Sequence, residues 1–186
     1  MTQLTWFQDD NPATPREVSG DFAKIADRLK AHGIVLERWA AEQAIAAGDS
    51  QEAVIEAYQK DIDRLMDTGG YQTVDVVSMQ PTHPERAAMR EKFLAEHTHS
   101  EDEVRFFVDG QGLFSLHVGN NVFEVLCGKG DLISVPANTP HWFDMGPAPS
   151  FVAIRLFNNP EGWVANFTGS DIADRFSRLD NTCQLP

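Results

Sequence analysis

Apolar residues recur at helical spacing near the start of the chain, in residues 21–33. The apolar positions fall at i, i+3, i+4 and i+7: Phe22, Ile25, Ala26 and Leu29. Asp21 suits an N-terminal cap and Gly33 a C-terminal cap, so a helix is predicted between them. The apolar run that follows, residues 34–39, is typical of a short strand. Residues 1–18 are polar, contain two prolines and are expected to be extended or irregular.

Two further helices flank a β-rich segment. One is predicted to begin at Asp49, where a glutamate three residues later completes a capping box, and to end at the glycines of residues 69–70. Its apolar face is formed by five residues: Val54, Tyr58, Ile62, Leu65 and Met66. Residues 71–79 predict a strand. A third helix is expected over residues 85–95, because Pro84 suits the first turn of a helix.

In the second half of the chain, short apolar runs alternate with turn signals. The runs that predict strands include FSLHV, VFEVL, LISV and FVAIRLF, and Asp109-Gly110 is one of the predicted turns. Many short strands at this spacing favour a β-sandwich or barrel. The predicted fold class is mixed α+β and rich in strands, in a single domain. N-terminal helices occupy about residues 1–70, a β-barrel about 71–168, and a C-terminal tail with a loosely ordered end about 169–186.

Composition and charge narrow the class of partner. Apolar residues make up 42% of the 186 residues and charged residues 23%, which is typical of a globular protein. The net charge of −13 disfavours nucleic acid and anionic membranes and is compatible with a monomer. Two cysteines are too few for a disulfide framework, and the N-terminus lacks the character of a secretory signal, so we expect a cytoplasmic protein. No apolar stretch approaches the ~18 residues of a membrane span.

Three histidines and a glutamate have the spacing of metal ligands. His97 and His99 point to one face of an extended segment, and Glu103 keeps the same parity. His141 follows a strand and a turn that contains two prolines. Imidazoles with a carboxylate suit Fe, Ni, Mn, Co, Cu or Zn, and the absence of cysteine from the set argues against a structural zinc site. On the residues alone, the alternative is a chance surface pair of histidines beside an acidic run.

The wider pattern resembles the two motifs of the cupin superfamily. The first motif supplies two histidines and a glutamate and the second supplies the last histidine: His97-x-His99-x3-Glu103-x6-Gly110 and Gly130-x5-Pro136-x4-His141. Glu91 stands where the first motif has a glycine, Asn138 where the second has a glycine, and Met145 where the second has an asparagine. None of these departures removes a ligand. The resemblance implies that the four ligands lie inside a small β-barrel.

Longer stretches resemble the acireductone dioxygenase family of methionine salvage. They are HTHSEDEVRFFVDGQGLF, GDLISVPANTPHWFDMG and RLFNNPEGWVANFTG, and the resemblance covers most of residues 1–180. It implies an enzyme that cleaves 1,2-dihydroxy-3-oxo-5-(methylthio)pentene with O2 and binds one Fe²⁺ or Ni²⁺ per chain. With iron the products would be 4-methylthio-2-oxobutanoate and formate. With nickel they would be 3-(methylthio)propanoate, formate and carbon monoxide.

Arg105 is the candidate catalytic residue. It shares the face of Glu103, two residues earlier, and its permanent charge can stabilise an anionic substrate. The alternative is a surface ion pair with Asp102 or Glu101. The resemblance implies that Arg105 generates the substrate dianion. It also links the position of Glu96 to metal incorporation and that of Asp102 to a conformational relay, although both carboxylates could equally form a solvated acidic rim.

The remaining candidates concern the substrate cavity. Arg155 lies in an apolar strand and must either face the cavity or meet a carboxylate. Four aromatic residues could wall a pocket for the methylthio tail or belong to an ordinary barrel core: Phe93, Phe107, Phe143 and Trp163. His117 is expected on the strand surface rather than as a ligand. Competing functions are another cupin dioxygenase or isomerase, and a metal-stabilised binding module without catalysis, which would need no cavity arginine.

Overall fold

Four α-helices lie among the residues that this computed structural model describes, 1–159 and 164–180: α1 (Phe22–Lys30), α2 (Gln51–Ala57), α3 (Gln59–Gly69) and α4 (Arg86–Leu94). The Asp21 side chain accepts hydrogen bonds from two amides of the first turn of α1, as predicted. The helix predicted from Asp49 begins instead after Ser50, whose hydroxyl caps it, and a break at Tyr58 divides it into α2 and α3. None of these four helices is long and apolar enough to cross a membrane.

Eleven strands of the described residues form two antiparallel sheets that share β6. The strands are β1 (Gln3–Gln8), β2 (Glu17–Ser19), β3 (Val35–Arg38), β4 (Thr73–Met79), β5 (His97–Thr98), β6 (Glu103–Val118), β7 (Asn121–Gly128), β8 (Asp131–Val135), β9 (His141–Asp144), β10 (Phe151–Phe157) and β11 (Asn166–Phe167). Sheet A has the order β11-β5-β9-β6-β7-β1-β2, and sheet B has the order β4-β10-β6-β8-β3. The predicted mixed α+β, strand-rich fold is confirmed.

Strand β6 runs through both sheets without the turn predicted at Asp109-Gly110, so that prediction is wrong. Its first half pairs with β10 and β8, and its second half pairs with β7 and β9. At the crossing, Gly110 has a φ of 68°, and a Cβ there would lie 1.9 Å from the Ser150 carbonyl oxygen. The register with β10 also shifts nearby, so a bulge redirects the strand where the sequence suggests that it ends.

The inner faces of the two sheets enclose one apolar core. Its aromatic members come from both sheets and from α4: Phe93, Phe107, Phe114, Phe123, Phe143 and Phe151. Helix α1 adds Ile25 and Leu29 to this core. The predicted apolar face of α2 and α3 packs on the outside of sheet B, where Val54 and Tyr58 belong to the same cluster as Phe106. The barrel interior is thereby separated from the helices that cover its outer wall.

Both ends of the described chain are more ordered than the sequence suggests. Within residues 1–18, which were expected to be extended or irregular, Gln3–Gln8 form β1 and pair with β7, whereas residues 9–16 lie outside the strands. A 3₁₀ turn, Ile172–Arg175, and the following Phe176 cover Trp142 on the outside of sheet A, and the Leu179 amide donates to Asp144. The division of the chain near residues 70 and 169 stays a prediction, although β1 and β3 show that the first segment also contributes strands.

Candidate metal centre

Strand pairing at the edge of sheet A brings three buried histidines together. His97 of β5 lies opposite His141 of β9, so their side chains share a face. His99 lies two residues after His97, which keeps it on that face. The three ring centroids are 4.5–5.1 Å apart, and one nitrogen of each ring lies within 4.8 Å of the others. The structure therefore contains a three-histidine arrangement that can hold a metal ion.

Main-chain carbonyl groups orient all three imidazole rings. The Nδ1 atom of His97 lies 2.7 Å from the Ala95 oxygen, and that of His99 lies 2.7 Å from the Val164 oxygen. The Nδ1 atom of His141 lies 2.8 Å from the Thr139 oxygen. A carbonyl oxygen can only accept, so we assign the proton of each neutral ring to Nδ1. This tautomer leaves each Nε2 with a lone pair for a metal.

Burial keeps the His97 imidazole neutral. Desolvation, followed by the neighbouring His141, lowers the pKa of His97 to about 3. A metal ligand must be deprotonated, and a proton competes poorly for this ring at neutral pH. The environment of His97 therefore favours the form that binds metal.

Glu103 adds a buried carboxylate to the histidines. Its Oε2 atom lies 3.2 Å from Nε2 of His99 and 3.4 Å from Nε2 of His141, while Oε1 accepts hydrogen bonds from Arg105 at 2.7 and 3.2 Å. Burial alone would raise the pKa of Glu103, but the neighbouring Arg105 guanidinium holds it well below its usual range. The carboxylate is therefore ionised in a site that excludes water.

Two of the atoms that could bind a metal ion are buried without a hydrogen-bond partner. Glu103 Oε2 and His141 Nε2 are both buried and make no hydrogen bond. Buried polar atoms are normally satisfied, and an ion between the four side chains would satisfy both of these. Three nitrogens and one oxygen also match the preference of a first-row divalent ion. The residues present fit a metal ion on the chemistry of the donors and on their burial.

Comparison with known proteins places this site in a family. A model of the ARD/ARD' family matches residues 3–165. The chain belongs to the ARD/ARD' family. An acireductone dioxygenase of Alcanivorax borkumensis is 64% identical over 178 residues, which are 96% of this chain and 98% of that protein. The acireductone dioxygenase of Yersinia enterocolitica is 54% identical over 180 residues, 97% of this chain and 100% of that protein.

A solved structure from the same family agrees with the fold. The acireductone dioxygenase of Bacillus anthracis, which has a cadmium ion in its active centre, matches with a TM-score of 0.76 at 28% identity. The match covers 90% of this chain and 98% of that chain. The expected cupin barrel is therefore confirmed for this ARD/ARD' family member.

The two candidate arginines lie opposite each other on neighbouring strands of the ARD/ARD' barrel. Arg105 is buried and lies 4.8 Å from the Phe114 ring and 4.6 Å from the Phe143 ring, so the alternative of a surface ion pair with Asp102 or Glu101 is wrong. Arg155 meets a carboxylate, which was one of its two alternatives, and its part in a substrate cavity stays a prediction. It lies opposite Arg105 on the inner face of sheet B and also donates two hydrogen bonds to a carboxylate, that of Asp75.

The two other acidic candidates, Glu96 and Asp102, differ in burial and in the residues that they contact. Glu96 is buried, so a solvated rim is wrong for it; its carboxylate accepts hydrogen bonds from Thr168 at 2.6 Å and from His117 at 2.8 Å. Asp102 is exposed and accepts from the Ala137 amide at 2.7 Å, which ties it to the loop before His141. His117, expected on the strand surface, is half-buried beside Glu96.

Three of the four candidate pocket aromatics lie in the barrel core. Phe93 and Phe107 each lie 6.2 Å from Phe143, measured between ring centroids, and all three rings are buried. Trp163 lies outside the described residues. A role of these rings in substrate binding stays a prediction, because their contacts are equally those of a core.

Sequence reasoning missed two residues beside the site. Asp75 is the only charged residue of β4, and Arg155 is the only charged residue of β10. Two opposite charges in two otherwise uncharged strands could have indicated that these residues form an ion pair. Phe167 of β11 lies opposite His97 and shares its face, yet its side chain is 52% exposed. Nothing in its local sequence indicates this position, because it depends on the pairing of two-residue strands.

Proposed function

We propose that this chain is a metal-dependent dioxygenase that cleaves the acireductone 1,2-dihydroxy-3-oxo-5-(methylthio)pentene with O2 in methionine salvage. The observation that carries the proposal is the site itself, with three oriented imidazoles and one ionised carboxylate inside an ARD/ARD' barrel. The names of the closely similar bacterial relatives support the same substrate. The acidic charge supports a small molecule as partner rather than nucleic acid and is compatible with a monomer. The small number of cysteines supports a cytoplasmic location.

Four side chains would hold one Fe²⁺ or Ni²⁺ ion: His97, His99, Glu103 and His141. When bound, the ion would supply Lewis acidity and a template for the two oxygens of the enediol. The residues keep it in place because each imidazole is fixed by a carbonyl group and the carboxylate is fixed by Arg105. The expected products are those given above for the iron and nickel forms.

Arg105 is the residue that we assign to the substrate dianion. Its guanidinium is held beside Glu103 and against the rings of Phe114 and Phe143, so its charge is fixed next to a proposed ligand without the freedom of a surface side chain. A fixed positive charge in a water-poor site stabilises negative charge more strongly than it would in bulk water. The arginine therefore favours loss of the second enediol proton.

The remaining residues are proposed to shape and support the site. Phe93, Phe107 and Phe143 offer an apolar wall for the methylthio tail, with Trp163 and Arg155 as further candidates. Glu96 is proposed to assist metal incorporation, which its contact with Thr168 and its place next to His97 support. Asp102 is proposed to relay conformational change through its contact with the loop before His141.

The experiment that tests this function compares two loaded forms of one protein. Metal-free protein is reconstituted with Fe²⁺ or Ni²⁺, the acireductone is added, and O2 uptake and products are measured. We expect O2 uptake from both forms and carbon monoxide from the nickel form alone. A protein that binds metal but consumes no O2 would support the binding module instead, whereas O2 uptake restricted to another substrate would support a different cupin dioxygenase.

A further inference from the structure

Four charged side chains form a row across sheet B that ends at the metal centre. In the register of the sheet, Asp75 of β4 lies opposite Arg155 of β10, which lies opposite Arg105 of β6. Residues opposite each other on antiparallel strands point to the same face, so all three face the barrel interior. Glu103 precedes Arg105 by two residues and shares that face. The row therefore has the charge order minus, plus, plus, minus.

Each arginine in the row is bound by its own carboxylate. Arg155 donates from Nε at 2.8 Å and from a terminal nitrogen at 2.6 Å to the two oxygens of Asp75, which is the bidentate geometry of a strong ion pair. Arg105 donates twice to Glu103 Oε1. The Arg155 side chain is 9% exposed and that of Asp75 is 36% exposed, so the row becomes more accessible to solvent toward its β4 end.

The two guanidinium groups repel each other in the middle of this row. Like charges directly opposite on neighbouring strands are destabilising, and both of these arginines are buried, which weakens the screening of their charges by solvent. Burial lowers the pKa of Arg105; Glu103 opposes this effect, and the Arg155 guanidinium adds to it. The two cations thus interact, and each needs its carboxylate on the side away from the other.

We propose that Asp75 is a positioning residue for the metal centre, because it holds the Arg155 guanidinium toward β4 and leaves Glu103 to Arg105 and the metal. The inference rests on the metal centre of the proposed function. Without the Asp75 charge, the cation of Arg155 would lose the carboxylate that binds it through two hydrogen bonds, while it stays beside Arg105. It would repel a divalent ion and compete for the Glu103 carboxylate, so metal affinity would fall.

The test measures binding of Ni²⁺ alone to the metal-free full-length chain by titration calorimetry. Asp75→Asn should weaken Ni²⁺ binding about tenfold, which corresponds to about 1.4 kcal/mol. The double variant Asp75→Asn/Arg155→Gln should return the affinity to within about threefold of the wild type, because it removes both charges of the ion pair. A threefold difference in affinity corresponds to about 0.65 kcal/mol. A residue that only stabilised the barrel would change the melting temperature but would show no such recovery.

Two further variants complete the design. Glu17→Gln breaks another ion pair between an arginine and a carboxylate, that of Glu17 on β2, at the far edge of sheet A, with Arg28 on α1. This variant should leave Ni²⁺ affinity unchanged. Arg155→Gln alone should bind Ni²⁺ at least as tightly as the wild type, and this arm decides the question if Asp75→Asn does not fold. Weaker binding by Arg155→Gln would overturn the proposal.

The outcomes separate this inference from the proposed function. If the wild type does not bind Ni²⁺, the metal centre itself is wrong. If the wild type binds Ni²⁺ and Asp75→Asn binds it equally well, only the role of Asp75 is wrong. The same conclusion follows if the double variant binds as weakly as Asp75→Asn.

Discussion

Acidification of the metal-free protein is expected to destabilise it through His97. The pKa of this imidazole is about 3 in the fold and 6.5 as the ordinary value expected for the unfolded chain. Between these values the unfolded chain binds a proton that the folded chain rejects, so stability is full above about pH 6.5 and falls with pH below it. From about pH 7.5 to about pH 5 the loss from this one group amounts to about 2 kcal/mol.

Urea denaturation in the presence of a chelator, at each pH, measures this loss. The matched variant is His97→Asn, because an asparagine amide can donate to the same Ala95 carbonyl but does not titrate. The wild type should lose about 2 kcal/mol more than His97→Asn over this pH range. Measurement stays at or above about pH 5 because the stabilisation from Glu103, whose pKa is lowered in the fold, is lost only as the pH falls through its ordinary pKa of 4.5 and below.

Equal losses in the wild type and in His97→Asn would refute the reasoning, since they would mean that His97 accepts a proton in the fold. A His83→Asn control alters a histidine in the loop before α4 and should retain the wild-type loss. Metal-loaded protein should keep its stability to lower pH than the metal-free form, because bound metal favours the neutral imidazole.

Three other changes test the site and its frame. His141→Ala should lower metal occupancy, measured by elemental analysis, because it removes a ligand, whereas His117→Ala should not; the reverse result would contradict the ligand set. Arg105→Ala should still bind Ni²⁺ when the ion is supplied in excess, but its turnover should fall by about two to three decades, and Arg105→Lys should restore part of it. Normal turnover of Arg105→Ala would refute the role of this residue. Gly110→Ala should lower the melting temperature more than Gly119→Ala. Both glycines have a φ near +60°, but only a Cβ at Gly110 would clash with a backbone oxygen. Equal effects of the two substitutions would contradict the packing at the β6 crossing.

Features set by nearby residues could be predicted from the sequence. The Asp21 cap and the face of α1 depend on residues within one or two turns. The convergence of His97 and His99 depends on strand parity alone. The barrel and the fourth ligand position needed the longer motif, because His141 approaches the others only through pairing of β5 with β9.

Features set by long-range pairing could not be predicted in the same way. Strand β1 is stabilised by β7, more than a hundred residues away. Its own three apolar residues, Leu4, Trp6 and Phe7, are too few to identify a strand within a stretch that is otherwise polar and contains two prolines. Gly110 signals a turn, but the surrounding sheets use its positive φ to redirect a continuous strand. The partner of Arg155 depends on the register of β4 with β10, which no local pattern specifies.

The carbonyl acceptors of the three imidazoles have a consequence for how this site tolerates mutation. Ala95, Thr139 and Val164 orient the ligands through atoms that every amino acid possesses, so substitution of their side chains leaves the ring orientation unchanged as long as the backbone keeps its path. Sequence drift around the site is thereby uncoupled from ligand geometry. Backbone changes, such as an insertion in the segments that carry these carbonyls, would instead rotate a ring out of place in a single event.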